Sequence, residues 1–136
     1  WETLRHGQDA AILAVGPMIP IALEAAETLA KEGVQVRVVN ARFIKPMDEA
    51  MLNQLAKEDI PVLTLEEGAV MGGFGSGVLE YYSLHNHYGM RVKTIGVPDY
   101  FVEHGSVGQQ REEVGLTAER LVSELTALVP RKRQRA

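Results

Sequence analysis

The chain has 136 residues, of which 46 % are hydrophobic and 24 % are charged, proportions typical of a globular domain. Its formal net charge is −4, and because the last six residues carry four positive charges, residues 1 to 130 carry −8. The negative charge of residues 1 to 130 argues against a nucleic-acid-binding face. The lack of cysteine excludes disulfides and thiolate metal sites. No run approaches the roughly 20 apolar residues of a membrane span.

Short apolar runs alternate along the chain with amphipathic runs. The first, AAILAV (10–15), is continuous and therefore typical of a strand buried on both faces. Three later runs predict further strands: VQVRVV (34–39), IPVLTL (60–65) and RVKTIGV (91–97). Repeated strand–helix units of this length imply a mostly parallel sheet with helices on both faces, a three-layer α/β fold.

Helical periodicity marks the segments between the strands. One helix is predicted from about residue 20 to residue 32, with Gly33 as its stop, and a second runs from a cap at Asp48 to Lys57. Others are predicted over about 75–86, in a short stretch that begins at the capping box SVGQ (106–109), and from Thr117 onward. No linker divides the chain, so residues 1–129 are predicted to form one domain and residues 130–136 a flexible basic tail.

The glycine-rich segment EEGAVMGGFGSGVLE (66–80) lies between a predicted strand and a predicted helix, where α/β proteins hold phosphates. Its spacing does not fit that use. A dinucleotide fingerprint starting at Gly73 or Gly75 fails because Val78 and Glu80 occupy the last position, and the Gly-Lys-Ser/Thr of a P-loop is absent. The segment is better interpreted as a tight turn where the backbone approaches another surface closely.

Carboxylates and histidines supply the other candidates. Glu66 and Glu67 are adjacent and should point to opposite faces, so they do not form an acid–base pair, and one of them is interpreted as a hydrogen-bonding anchor. His85 and His87 cannot share a helix face and are interpreted as a polar helix end. His104, in VPDYFVEHGS (97–106), has no nucleophile motif to assist, so a loop or interface role is favoured over catalysis.

Several stretches together resemble one family. RFIKPMD (42–48), EEGAVMGGFGSGV (66–78) and PDYFVEHGS (98–106) are similar, in this order, to the C-terminal domain of 1-deoxy-D-xylulose-5-phosphate synthases. The resemblance covers residues 1 to about 128. Transketolases and the β-subunits of 2-oxo-acid dehydrogenases are wider relatives with a similar last domain. Because the chain begins with Trp1 rather than Met, we expect it to be a fragment or a processed product. The resemblance implies that it is the last of three domains of a longer protein.

The resemblance implies a parent enzyme that condenses pyruvate with D-glyceraldehyde 3-phosphate, releases CO₂, and uses thiamine diphosphate and Mg²⁺. It implies a cytoplasmic homodimer whose product feeds isoprenoid, thiamine and pyridoxal synthesis. The family holds its cofactor through a GDG…N motif and a glutamate in the earlier domains, and GDG is absent here. This chain is therefore expected to bind no cofactor or metal, to be inactive alone, and to support the fold and the dimer.

Structural and interface roles are expected for nine residues of the matching stretches. Since relatives also carry glutamine at the position of His104, the 97–106 stretch is interpreted as a structural connection. The glycine turn is interpreted as a surface that docks on the preceding domain or the dimer partner. The nine candidates are Glu67, Gly72, Gly73, Phe74, Gly75, Asp99, Phe101, His104 and Gly105.

Two other functions stay open at this point. One is a stand-alone module that binds a small anion at the 72–77 turn, and the other is a pure interaction domain that docks a partner subunit. Neither membrane nor nucleic acid is expected as a partner.

Overall fold

The computed structural model describes residues 1–69, 73–97 and 117–130. These residues form a five-stranded sheet with helices on both faces, as the sequence predicts. The strands are β1 (Glu2–Arg5), β2 (Ala10–Ala14), β3 (Val36–Asn40), β4 (Val62–Ala69) and β5 (Val92–Val97). The helices are α1 (Ile19–Ala30), α2 (Glu49–Lys57), α3 (Phe74–Leu84) and α4 (Ala118–Leu128), with a short 3-10 turn at Gly16–Met18.

The strands lie in the order β1-β3-β2-β4-β5, and all neighbours are parallel except β1 and β3. The antiparallel strand β1 is not predicted from the sequence. Its four residues, ETLR, alternate between exposed and half-buried. Such a short edge strand contains no apolar run from which a strand could be predicted. The third predicted strand also ends too early, because β4 continues through Glu66 and Glu67 to Ala69.

Alternate residues of the central strand β2 contribute to two separate cores. Ala10, Ile12 and Ala14 face one layer, where they meet α1 and α4. Ala11 and Leu13 face the other layer, where they meet α2 and α3. All five residues of β2 are fully buried, which explains why this strand is a continuous apolar run.

The helices α1, α2 and α4 each bury one apolar stripe. In α1 the buried residues are Ala22, Ala25, Ala26 and Leu29; in α2 they are Leu52 and Leu55; in α4 they are Ala118, Leu121 and Leu125. Gly33 follows α1 with φ +84°, a left-handed conformation that glycine adopts without strain. The short helix predicted to begin at 106–109 lies outside the described residues, as do residues 131–136 of the predicted basic tail (130–136).

Candidate functional site

The side chain of Glu66, on the preceding strand β4, caps the N-terminus of α3. Gly73, at the helix N-cap, has no side chain to satisfy the first backbone N–H groups. Glu66 replaces it: Oε1 accepts from the Phe74 N–H at 2.8 Å and Oε2 from the Gly75 N–H at 2.8 Å. A carboxylate in this position also compensates the positive end of the helix dipole. Glu66 is therefore the hydrogen-bonding anchor of the pair.

Glu67 is exposed, whereas Glu66 is buried, so the two carboxylates lie on opposite faces of β4 as predicted. They cannot act together on one substrate. The pair lies inside the strand rather than after it, because β4 extends to Ala69.

Gly75 allows the first turn of α3 to pack directly on the sheet. A Cβ atom at this position would lie 2.5 Å from Thr64 Oγ1 and 2.7 Å from Thr94 Cγ2, distances that side chains do not tolerate. Thr64 lies on β4 and Thr94 on β5, so the helix touches both strands where only glycine fits. The close approach that Gly75 permits is thus made within the domain.

Phe74 is 1 % exposed and belongs to the core between the sheet and α3. Its ring packs edge-on against Trp1, with ring centroids 5.6 Å apart. The Trp1 indole Nε1–H donates to the Phe43 carbonyl oxygen at 2.6 Å. Phe74 therefore packs inside the domain, and through Trp1 it connects α3 to the segment at 43–47.

The five remaining candidates, Gly72, Asp99, Phe101, His104 and Gly105, lie outside the described residues. Their roles remain predictions.

His85 and His87 follow the last turn of α3, and the interpretation of this segment as a polar helix end is confirmed. The His85 ring stacks on Tyr81 with centroids 4.0 Å apart, and its Nδ1 lies 2.9 Å from the Tyr81 carbonyl oxygen. His87 meets the edge of Tyr82 at 5.9 Å. Within residues 1–69, 73–97 and 117–130, no three histidine, aspartate or glutamate side chains are grouped so that they could hold a metal ion.

Two tyrosines tie α3 to α2, a contact that the sequence does not indicate. Tyr82 Oη donates to the Leu52 carbonyl oxygen at 2.9 Å, and Tyr81 Oη donates to Asn53 Oδ1 at 2.7 Å. Burial raises the pKa of Tyr82 above its ordinary value, and the neighbouring Tyr81 raises it further. Hydroxyls on an amphipathic helix have no sequence signature that names their partners on another helix.

A groove of about 640 Å³ lies between α3 and the segment 43–47, of which residues 44–47 line it. The segment contains a cis peptide bond between Lys45 and Pro46. Charged side chains line part of the groove, and apolar side chains line the rest. The lining residues are Ile44, Lys45, Pro46, Met47, Glu49, Glu66, Gly73, Phe74, Ser76, Gly77, Glu80, Tyr81 and Leu84.

The sequence matches the family described as "Transketolase, C-terminal domain" over residues 1–121. Together with the five-stranded α/β fold, this shows that the chain belongs to the transketolase C-terminal domain family. No helix among the described residues is long and apolar enough to cross a membrane.

The curated relatives are named more specifically. The chain is 52 % identical, over all of its 136 residues, to the 1-deoxy-D-xylulose-5-phosphate synthase of Geobacillus thermodenitrificans, and it spans 22 % of that protein. The identity to the synthase of Bacillus cereus (strain B4264) is also 52 %, with the same coverage. The chain thus spans about a fifth of the length of these relatives.

Solved structures show the same fold. A structure described as "Split gene transketolase, inactive beta4 tetramer" superposes with a TM-score of 0.85 at 38 % identity, covering 93 % of this chain and 41 % of that chain. The transketolase of Campylobacter jejuni superposes with a TM-score of 0.63 at 22 % identity, covering 92 % of this chain and 18 % of that chain. At this lower identity the second similarity shows the fold alone.

Proposed function

We propose that the chain is the C-terminal domain of a 1-deoxy-D-xylulose-5-phosphate synthase, the enzyme that condenses pyruvate with D-glyceraldehyde 3-phosphate and releases CO₂. The observation that carries this proposal is the 52 % identity to proteins of that name over the whole chain. The fold alone could not support it, because transketolases that are only 22 % identical share the same fold.

The role proposed for this domain is architectural. Thiamine diphosphate needs anchors for a diphosphate and for Mg²⁺, which the family supplies from a GDG…N motif in its earlier domains, and GDG is absent from this sequence. The Phe74 and Gly75 N–H groups, which could bind a phosphate, already donate to Glu66. We therefore assign cofactor binding to the rest of the enzyme, and we expect this chain alone to be inactive.

The remaining features of the proposal follow from the family. We propose a cytoplasmic homodimer that acts at the start of isoprenoid synthesis and also supplies thiamine synthesis. The domain formed by this chain would contact the preceding domains of the enzyme and the second subunit of the dimer. We propose neither a membrane nor a nucleic acid as a partner. Glu67 and the turn at Gly72–Gly73 are proposed contacts, and Asp99, Phe101, His104 and Gly105 are proposed to hold a structural connection.

An assay of the complete protein tests this function. The full-length protein, supplied with thiamine diphosphate and Mg²⁺, should convert pyruvate and D-glyceraldehyde 3-phosphate to 1-deoxy-D-xylulose 5-phosphate with one CO₂ per product. The matched control replaces D-glyceraldehyde 3-phosphate with ribose 5-phosphate and pyruvate with xylulose 5-phosphate, the substrate types of a transketolase. Turnover of the control pair, with none of the first pair, would contradict the proposal.

A small-anion-binding module is the alternative function, and one observation weakens it. Both oxygens of Glu66 occupy the N–H groups at the α3 N-terminus, and their negative charge repels an incoming anion. Titration of the chain with inorganic phosphate, followed by calorimetry, tests this alternative. Saturable binding that Glu66→Gln strengthens would favour the anion-binding module.

A further inference from the structure

The groove between the segment 43–47 and α3, called the α3 groove below, has the character of a docking surface. Ile44 is 37 % exposed and Leu84 is 71 % exposed at its walls, and Phe43, 45 % exposed, adjoins it. Large apolar side chains grouped in this way around a concave surface mark a contact site more often than isolated ones do.

The point where the chain enters the domain lies beside this groove. The Trp1 indole is hydrogen-bonded to Phe43, and its ring packs on Phe74, which lines the groove. The Trp1 backbone nitrogen lies 3.0 Å from Asp48 Oδ2. Residue 1 is thus fastened to the same segment that forms one wall of the α3 groove, so a polypeptide that continues upstream of Trp1 leaves from its rim.

The lengths of the relatives indicate what lies upstream. This chain spans only 22 % of the synthase relatives and 41 % of the split gene transketolase chain. Because the family is a C-terminal domain, most of each relative's length precedes the part that matches this chain.

The charges of the rim indicate the chemistry of the occupant. Glu49 and Glu80 line the groove, and among the described residues that line it Lys45 is the one cation. Glu66 also lines it, but both of its oxygens already accept backbone hydrogen bonds. A segment with apolar side chains for the walls and a basic side chain for the rim would complement this surface.

We infer that the α3 groove binds the polypeptide that immediately precedes Trp1 in the complete protein, in the same copy of the chain. This inference rests on the proposed function, because that function makes the chain the last domain of a longer enzyme. It assigns the docking to the outer face of α3 and the segment 43–47.

Photo-crosslinking in the complete protein tests the assignment. Benzoylphenylalanine replaces Leu84, which lines the groove, and in the matched control it replaces Leu79, which is on the same helix, is 46 % exposed, and does not line the groove. After irradiation, the protein is separated on a denaturing gel and the crosslinked peptides are identified by mass spectrometry. We expect position 84 to crosslink to residues upstream of Trp1 without a change in chain mass.

Four other results would overturn the inference. A band of twice the chain mass from position 84 would show that a second copy occupies the groove. Crosslinks only to residues of this domain, or equal yields at positions 84 and 79 on the same upstream peptide, would show that the groove does not select that segment. Ile44→Glu in the protein labelled at position 84 should remove the upstream crosslink, and retention of the full yield would also contradict the docking.

The activity of the complete wild-type protein separates this inference from the proposed function. Synthase activity without the upstream crosslink would leave the function intact and refute the docking surface. An upstream crosslink in a protein that does not make 1-deoxy-D-xylulose 5-phosphate would support the docking and refute the function.

Discussion

The carboxylate of Glu66 accepts the backbone N–H of Gly75 at 2.8 Å, nine residues further along the chain. The same side chain accepts from Phe74, so one buried glutamate provides the cap that Gly73 cannot supply. A residue of β4 therefore caps the helix α3 that follows it in the chain.

Glu66→Ala is expected to lower the free energy of unfolding by about 2–4 kcal/mol, because two buried N–H groups lose their acceptor. Glu66→Gln should cost less, since one amide oxygen can still accept. Urea unfolding of the chain measures both. The matched control is Glu27→Gln at an exposed position of α1, where a change within about 0.5 kcal/mol is expected. Equal losses at positions 66 and 27 would contradict the capping role.

Gly75→Ala should destabilise the chain, although the same change in an open helix stabilises by up to about 1 kcal/mol. The added methyl would meet Thr64 and Thr94 at 2.5 Å and 2.7 Å, and we expect a net loss of about 1–3 kcal/mol. Gly77→Ala is the control on the same helix, because its methyl would meet only the mobile end of Met47. Thermal unfolding of both variants compares them; a loss at position 77 as large as that at position 75 would argue against tight packing on the sheet.

Thr64→Val is expected to stabilise the chain by about 1 kcal/mol. Thr64 is fully buried, and its Oγ1 has no hydrogen-bond partner among the described residues. Burying a hydroxyl that makes no hydrogen bond costs free energy. A methyl group of similar size in its place removes this cost. Chemical denaturation tests the change. A loss of more than about 1 kcal/mol would mean that the hydroxyl has a partner, since unpaired buried groups do not stabilise.

The buried phenol of Tyr82 should make the chain less stable in alkali. Its raised pKa keeps it protonated in the folded state at pH values where the unfolded chain, with its ordinary pKa of 10.0, has lost the proton. The contribution of Tyr82 is therefore complete below pH 10 and decreases above it, by about 1.4 kcal/mol for each pH unit.

The measurement is the difference in unfolding free energy between the wild type and Tyr82→Phe from pH 8 to pH 11. Below pH 10 the wild type should be more stable by about 1 kcal/mol, because Tyr82 donates to the Leu52 carbonyl. Above pH 10 this advantage should disappear. Tyr88→Phe removes a phenol that is 76 % exposed and serves as the surface control. A constant difference for Tyr82→Phe would refute the prediction.

Much of the secondary structure could be predicted because burial imposes a local period. The run AAILAV predicts β2 within one residue, and the alanine and leucine stripe of α1 is buried as its spacing indicates. The strand β1 could not be predicted, because an edge strand of four residues buries little and needs no apolar pattern. The end of β4 was placed too early because Glu66 is polar, although its buried position is made favourable by two hydrogen bonds.

The candidate site was also predictable from the sequence only in part. The glycine spacing favours a tight turn over a phosphate-binding loop, and the close approach at Gly75 fits this interpretation. The sequence makes Glu67 a candidate but does not determine which carboxylate is the anchor, because the face that each side chain occupies depends on the register of β4 against its neighbours.

The amino-acid order is enough to predict the alternation of strands and helices, the buried stripes and the family, because each of these depends on local periodicity or on motifs with characteristic spacing. The contacts between residues far apart in the chain become known only from the folded structure. It brought Glu66 to the start of α3, Gly75 against two threonines, and Trp1 beside the α3 groove. Such pairs form when the helices pack on the sheet, and the geometry of that packing is set by all the contacts of the layer together.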